Sequence, residues 1–137
     1  MLKLTRYAAP LALAALMSVG ALAPVAAAAD AMGPAMVGDS AKGKVLTDAK
    51  GMTLYTFDKD TMGNGKSVCN DKCAAAWPPF MADAGAKPMG DWSVVTRDDG
   101  KTQWAYKGWP LYGWVKDKAA GDVTGDGVQN VWHIAKP

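Results

Sequence analysis

The chain has 137 residues, half of them hydrophobic, and carries fifteen Lys and Arg against thirteen acidic residues. Lys3 and Arg6 belong to an N-terminal segment that reads as a leader, and without them the formal charge is zero. That balance leaves no global field to hold nucleic acid or anionic lipid.

The leader is the first element in chain order. Basic Lys3 and Arg6 precede an uncharged apolar run from Ala8 to Val25, and Ala26-Ala27-Ala28-Ala29 then offers small residues just before Asp30. This order of regions is that of a cleaved secretory signal. A membrane-spanning helix is the rival reading, but Pro10, Gly20 and Pro24 interrupt a run already near the lower length limit for spanning. The sequence thus divides into a signal peptide at 1–29, a flexible arm at 30–42 rich in Gly, Ala and Pro, and one domain at 43–137. Its destination is the periplasm or the cell exterior.

Every acidic residue is Asp, with no Glu anywhere. Asp bonds its own neighbouring backbone and favours turns, whereas Glu favours helices. Strand signals accordingly dominate from Gly43. Val45-Leu46-Thr47 and Thr53 to Phe57 flank a turn around Gly51. Asn70 to Trp77 is the one helical candidate, with Asn70 or Asp71 as its cap and Pro78-Pro79 as its stop. Val94 to Arg97 and Thr102 to Tyr106 flank Asp98-Asp99-Gly100-Lys101, a hairpin signal strengthened by the Asp-Gly pair. Leu111 to Val115 and Val131 to Ile134 supply the last strands.

A repeat runs through these elements. Residues 50–60 (KGMTLYTFDKD) align without a gap on 107–117 (KGWPLYGWVKD), and each copy is followed by a Gly-containing loop and a Trp, at Trp77 and Trp132. Upstream, Val45 to Gly51 echoes Val94 to Gly100. Two units are too few for a solenoid. The predicted fold is mainly β: a small antiparallel domain with an internal pseudo-two-fold repeat and one short helix.

Tyr55, Phe57 and Asp60, with Tyr112, Trp114 and Asp117, fit Y-x-[FWY]-x-x-D twice. In this the chain resembles the secreted-repeat lipoproteins, over roughly residues 43–134 and including the Cys69 to Pro79 element. The resemblance implies an exported tandem repeat of unassigned function. Many members carry a lipidated Cys at the cleavage site, and residues 26–30 hold none, so no lipid anchor is expected here.

The candidate sites divide between folding and function. Strand alternation puts Tyr55 and Phe57 on one face and repeats this at Tyr112 and Trp114. Each Asp then falls at the end of its own Tyr-bearing strand, where its carboxylate would accept backbone N–H groups of the following turn, or the Tyr hydroxyl. A packed aromatic face with an Asp-capped exit accounts for this better than a sugar platform, because a folding device recurs with a repeat. Cys69 and Cys73, the only cysteines, form one disulfide in an oxidising compartment. The sharper alternative is a copper or redox pair completed by His133 and Met62. Haem attachment fails because Ala74 stands where a His is needed.

Asp122 to Gly127 resembles the start of a calcium loop, but its twelfth position is His133 where a bidentate Glu is required. Trp92, Trp104 and Trp109 are expected on an exposed face, since a small sheet has little room for six tryptophans. No nucleophile–base pair or carboxylate dyad is legible, so the expectation is a monomeric, non-catalytic, cofactor-free module binding an unidentified envelope or extracellular ligand.

Overall fold

The computed structural model describes residues 31–137, and the expected signal peptide at 1–29 lies outside the described residues. Strands β1 (Ala31–Met32), β2 (Ala35–Ser40) and β3 (Gly43–Thr47) form one antiparallel sheet. Strands β5 (Trp92–Thr96), β6 (Thr102–Tyr106) and β7 (Trp109–Pro110) form a second. Between them, β4 (Tyr55–Phe57) pairs antiparallel with β8 (Trp132–Ile134). A single short helix, α1 (Lys72–Ala76), and a 3-10 turn at Val128–Asn130 complete the chain.

Residues 31–40 are therefore two strands joined by a turn at Gly33-Pro34, and not a flexible arm. The β2–β3 hairpin aligns Met36 with Thr47 and Ser40 with Gly43, and Ala35 is buried in the core. This hairpin also accounts for the tryptophans. Trp92 and Trp104 are buried, in one cluster with Ala35, Leu46, Leu54 and Leu111 and with Met32 packed against it. Trp109 is half-buried. No exposed tryptophan face forms, because the N-terminal strands cover it.

The two copies meet at the centre. Tyr55 and Tyr112 are antiparallel bridge partners and exchange both backbone hydrogen bonds, at 2.7 and 3.0 Å. Ile134 flanks Tyr55 on the outside, and Pro79 flanks Tyr112. Each Tyr strand thus lies between the other copy's Tyr strand and the other copy's terminal segment. The hairpins obey the same exchange. Leu46 N–H donates to Ala135 O at 2.9 Å, and Trp104 N–H donates to Phe80 O at 2.8 Å. Neither copy closes its sheet alone.

These bonds also fix which residues are equivalent. Leu46, Leu54 and Ala135 form a closed set of three hydrogen bonds that Trp104, Leu111 and Phe80 repeat. The β2–β3 hairpin therefore matches β5–β6, so the upstream echo of Val45 with Val94 pairs the wrong strands. Cross-strand register places Val37 opposite Leu46 and Val94 opposite Trp104, which makes Val37 the counterpart of Val94. The Lys-Gly turns do correspond: Gly51 and Gly108 take φ of 81° and 87°, values that a side chain would strain.

Strand alternation sorts the core into two layers. Leu46, Leu54, Leu111 and Ala135 face one cluster. Their neighbours Val45, Tyr55, Tyr112 and Ile134 face the other, with Phe57, Trp77 and Trp132. The central sheet is covered on both sides. Two elements are shorter than the sequence predicts. Over 111–115 only Tyr112 bridges, to Tyr55 on one side and Pro79 on the other, with Phe80 N–H donating to Leu111 O and Gly113 N–H to Pro78 O, before the chain turns at Val115. The helix begins at Lys72 because the Asn70 side chain accepts a bond from Arg97, and Asp71, at φ 53°, makes no side-chain cap.

A chain that starts at Gly43 lacks β1 and β2 and uncovers Trp92 and Trp104. It should lose cooperative thermal unfolding by circular dichroism, whereas a flexible arm would be removable without effect.

Candidate functional site

The motif residues of both copies converge on the central sheet. Phe57, Trp132, Trp77 and Trp114 form one continuous stack. Centroid separations are 4.1 Å for Phe57–Trp132, 3.8 Å for Trp132–Trp77 and 3.8 Å for Trp77–Trp114, with interplanar angles of 1°, 5° and 22°. Members alternate between copies along the stack. Tyr55 meets the edge of Trp77, and Tyr112 that of Trp132, in near-perpendicular contacts at 5.5 and 5.2 Å.

The carboxylates cross between copies. Tyr55 Oη donates to Asp117 Oδ2 at 2.6 Å, and Tyr112 Oη donates to Asp60 Oδ2 at 2.6 Å. The other oxygen of each Asp stays within its own copy. Asp60 Oδ1 accepts the N–H of Val68, and Asp117 Oδ1 accepts the N–H and hydroxyl of Thr124. Backbone capping is thus as the sequence predicts, but the Tyr partner belongs to the opposite strand. The physical reason is the antiparallel pairing of Tyr55 with Tyr112, which directs each phenol toward the other copy's exit turn.

All four groups are buried. Burial, reinforced by the carboxylate each one faces, pushes both phenols above the usual tyrosine range. Burial also raises Asp60, opposed by the Tyr112 hydroxyl, the Val68 amide and the charge of Arg97. That arginine is absent from the sequence-derived candidates. It is buried and donates to Ser67 Oγ at 2.9 Å, Gln103 Oε1 at 2.7 Å and the Cys69 carbonyl. Ser67 in turn bonds Tyr112 Oη at 2.6 Å, so Arg97, Ser67, Tyr112 and Asp60 form one chain. The second copy has no such chain. There the Gly125 N–H donates to Tyr55 Oη at 3.2 Å, and a Cβ at Gly125 would lie 2.9 Å from Trp77 and Tyr55. Among the described residues no buried side-chain nitrogen or oxygen lacks a partner.

Cys69 and Cys73 are joined in a disulfide. Their sulfurs are therefore not thiolates, and His133 Nε2 is held at 2.7 Å by Asp58 on the surface. The alternative copper set of Cys69, Cys73 and His133 is not assembled, and among the described residues no group of three His, Cys, Asp or Glu is placed to hold a metal ion. Met62 is exposed. The calcium-like loop serves as turn chemistry. Asp122 accepts the N–H groups of Lys118 and Ala119, which lower its carboxyl. Asp126 is lowered chiefly by its bond to Lys42.

A concavity lies beside the stack at Phe57, Trp77 and Trp132. A cavity of about 580 Å³ opens between the turn after β4, the disulfide loop and α1, lined by Phe57, Lys59, Val68, Lys72, Trp77 and Trp132 among others. Lys72, Cys73 and Ala76 share the helix face that forms its wall. The sequence held one pointer to this place, the alignment of Lys59 with Lys116 in the repeat.

Residues 36–81 and 93–136 each match the family described as a secreted repeat of unknown function. The chain belongs to that family. Each matched unit opens on the first strand of a hairpin, β2 or β5, and ends just beyond the stacked Trp. The family unit is thus a unit of sequence and not of folding, since each borrows its closing strand from the other. No curated protein and no solved structure matches the chain.

Two measurements check the crossed pairs. Tyr55→Phe and Asp117→Asn should each destabilise by about 1.5–3 kcal/mol, the usual worth of a hydrogen bond to a charged group. A double-mutant cycle should find coupling between Tyr55 and Asp117 and between Tyr112 and Asp60, with near-additivity for Tyr55 and Asp60. Denaturant unfolding reads all of these.

The raised phenols predict an alkaline limit. An acid whose pKa is higher in the folded state holds its proton while the unfolded chain releases it. The stabilisation is complete below about pH 10, the ordinary tyrosine value, and is lost as pH rises toward the folded one. Absorbance titration at alkaline pH should find Tyr55 and Tyr112 ionising only as the protein unfolds, and the Tyr55→Phe/Tyr112→Phe variant should lose less stability with rising pH than wild type.

Proposed function

We propose that this family member is a non-catalytic binding module, released from a cleaved signal peptide into the periplasm or the exterior, and that its ligand occupies the groove beside the aromatic stack. The groove is the observation that carries the reading. The motif's own polar groups are spent on one another: each phenol is held by a carboxylate, and each carboxylate by backbone donors. Side chains so engaged are poor candidates for a nucleophile or a base. The motif reads as the scaffold, and the groove it supports has the volume of a small-molecule site. A copper-handling role would need both cysteines as thiolates, and they are bonded to each other.

Val68 supplies the test because it lines the groove and is itself exposed. A thermal-shift screen of small metabolites against the mature protein should return compounds that raise Tm, with stabilisation of about 2.7 kcal/mol at a hundredfold excess over Kd. The Val68→Trp variant, which fills the groove from its rim, should abolish those shifts while keeping the ligand-free Tm. An empty screen, or shifts that survive the variant, would remove the groove as the site.

A further inference from the structure

Resting on that reading, the chemistry of the groove narrows its ligand. We propose that it binds an aromatic carboxylate, with the anionic head between the ammonium groups of Lys59 and Lys72 and the ring against the edges of Trp77 and Trp132.

Charge comes first. The groove lining holds two lysines and no Asp, in a chain with thirteen Asp. The neighbouring cavity of about 350 Å³ is mixed, with Asp71, Asp98 and Asp99 beside Arg97 and Lys101. Some lysines are engaged elsewhere: Lys42 pairs with Asp126, Lys107 lies over the Tyr106 ring and Lys116 over Trp114. Among the described residues neither Lys59 nor Lys72 has a side-chain hydrogen bond, ion pair or ring contact. Two unneutralised ammonium groups at one apolar concavity favour an anion.

Ring geometry then selects the body of the ligand. Trp132 is stacked on one face by Phe57 and on the other by Trp77, and Trp77 is likewise covered by Trp132 and Trp114. Both tryptophans can offer a ligand only their edges. A ring edge is the positive part of the aromatic quadrupole, so it attracts the π-face of another ring or an anionic oxygen. Sugar platforms use the opposite surface, the ring face, and here those faces are covered. An exposed Val68 and the Ala76 side of α1 add apolar wall.

The two copies differ at this place, as a binding site demands and a folding device does not. Lys59 aligns on Lys116, yet Lys116 Nζ lies 5.7 Å over the Trp114 ring of its own copy. The counterpart of α1 is the 3-10 turn Val128–Asn130, which carries no lysine. Among the described residues the second copy does not repeat this pair of lysines.

Three probes separate the contributions: benzoate has ring and charge, benzyl alcohol the ring alone, acetate the charge alone. Each is titrated into the mature protein by tryptophan fluorescence and by amide NMR shifts at Val68, Cys73 and Gln129. Benzoate should bind saturably at one site, about tenfold or more tighter than either other probe. Lys59→Gln and Lys72→Gln should each weaken it by about tenfold, and Lys101→Gln should leave it unchanged. Both test lysines are exposed, and an unaltered Tm confirms that the variants fold. Benzoate that binds no better than acetate or benzyl alcohol, or that ignores both lysines, overturns the assignment. Benzyl alcohol binding as well as benzoate at the same amides overturns it while sparing the binding-module reading. That broader reading falls only with the Val68→Trp screen.

Discussion

The fold depends on a buried phenol–carboxylate hydrogen bond made twice, each time between copies. Tyr55 bonds Asp117 and Tyr112 bonds Asp60, both at 2.6 Å. Because each carboxylate also caps its own copy's exit turn, one side chain fastens a local loop and the interface between copies together. A buried charge is tolerated only when its lone pairs are occupied. Each Asp meets that condition solely when the opposite strand is in register, since a one-residue slip would turn both phenols to the other face of the sheet. The polar pairs thus specify the same register that the two distinct hydrophobic layers require.

On this frame the copies have diverged where the frame permits. Repeat symmetry relates Phe57 to Trp114 and Trp77 to Trp132, and the four rings make one stack. Around it the partners differ. The Tyr112 hydroxyl is backed by Ser67 and Arg97, and the Tyr55 hydroxyl by a glycine N–H. Arg97 also holds the Cys69 carbonyl and the Asn70 side chain. It thereby fixes the disulfide loop that forms one side of the groove. The same difference that distinguishes the copies positions the cationic concavity beside Trp77 and Trp132.

Much of this was legible in the residues, and the rest was hidden for definable reasons. The gapless alignment of 50–60 on 107–117 identified Tyr55, Phe57 and Asp60 as equivalents of Tyr112, Trp114 and Asp117. Alternation assigned their faces. What alignment cannot say is which copy a side chain reaches, because equivalent residues near a pseudo-two-fold axis lie close to both. The crossing of the Tyr–Asp pairs therefore needed coordinates. Strand β2 carries no sequence signal because Met36, Val37 and Gly38 are all half-buried, so the segment has no apolar alternation. The misplaced exposure of Trp92 and Trp104 followed from that omission, since the missing hairpin is their cover. Lys59 and Lys72 are thirteen positions apart with no motif linking them, and only the groove brings them together.

The exchange of terminal segments has a consequence for folding order. A two-fold interface in which residue i meets j while j meets i is the signature of a symmetric dimer, and here it lies inside a single chain. Ile134 must return to Tyr55, and Ala135 to Leu46, before the first copy's sheet is closed. Contacts of such long sequence separation form late, because loop closure precedes the stabilisation it allows. Until β8 arrives, Tyr55 lacks its outer neighbour and Phe57 lacks the Trp132 ring.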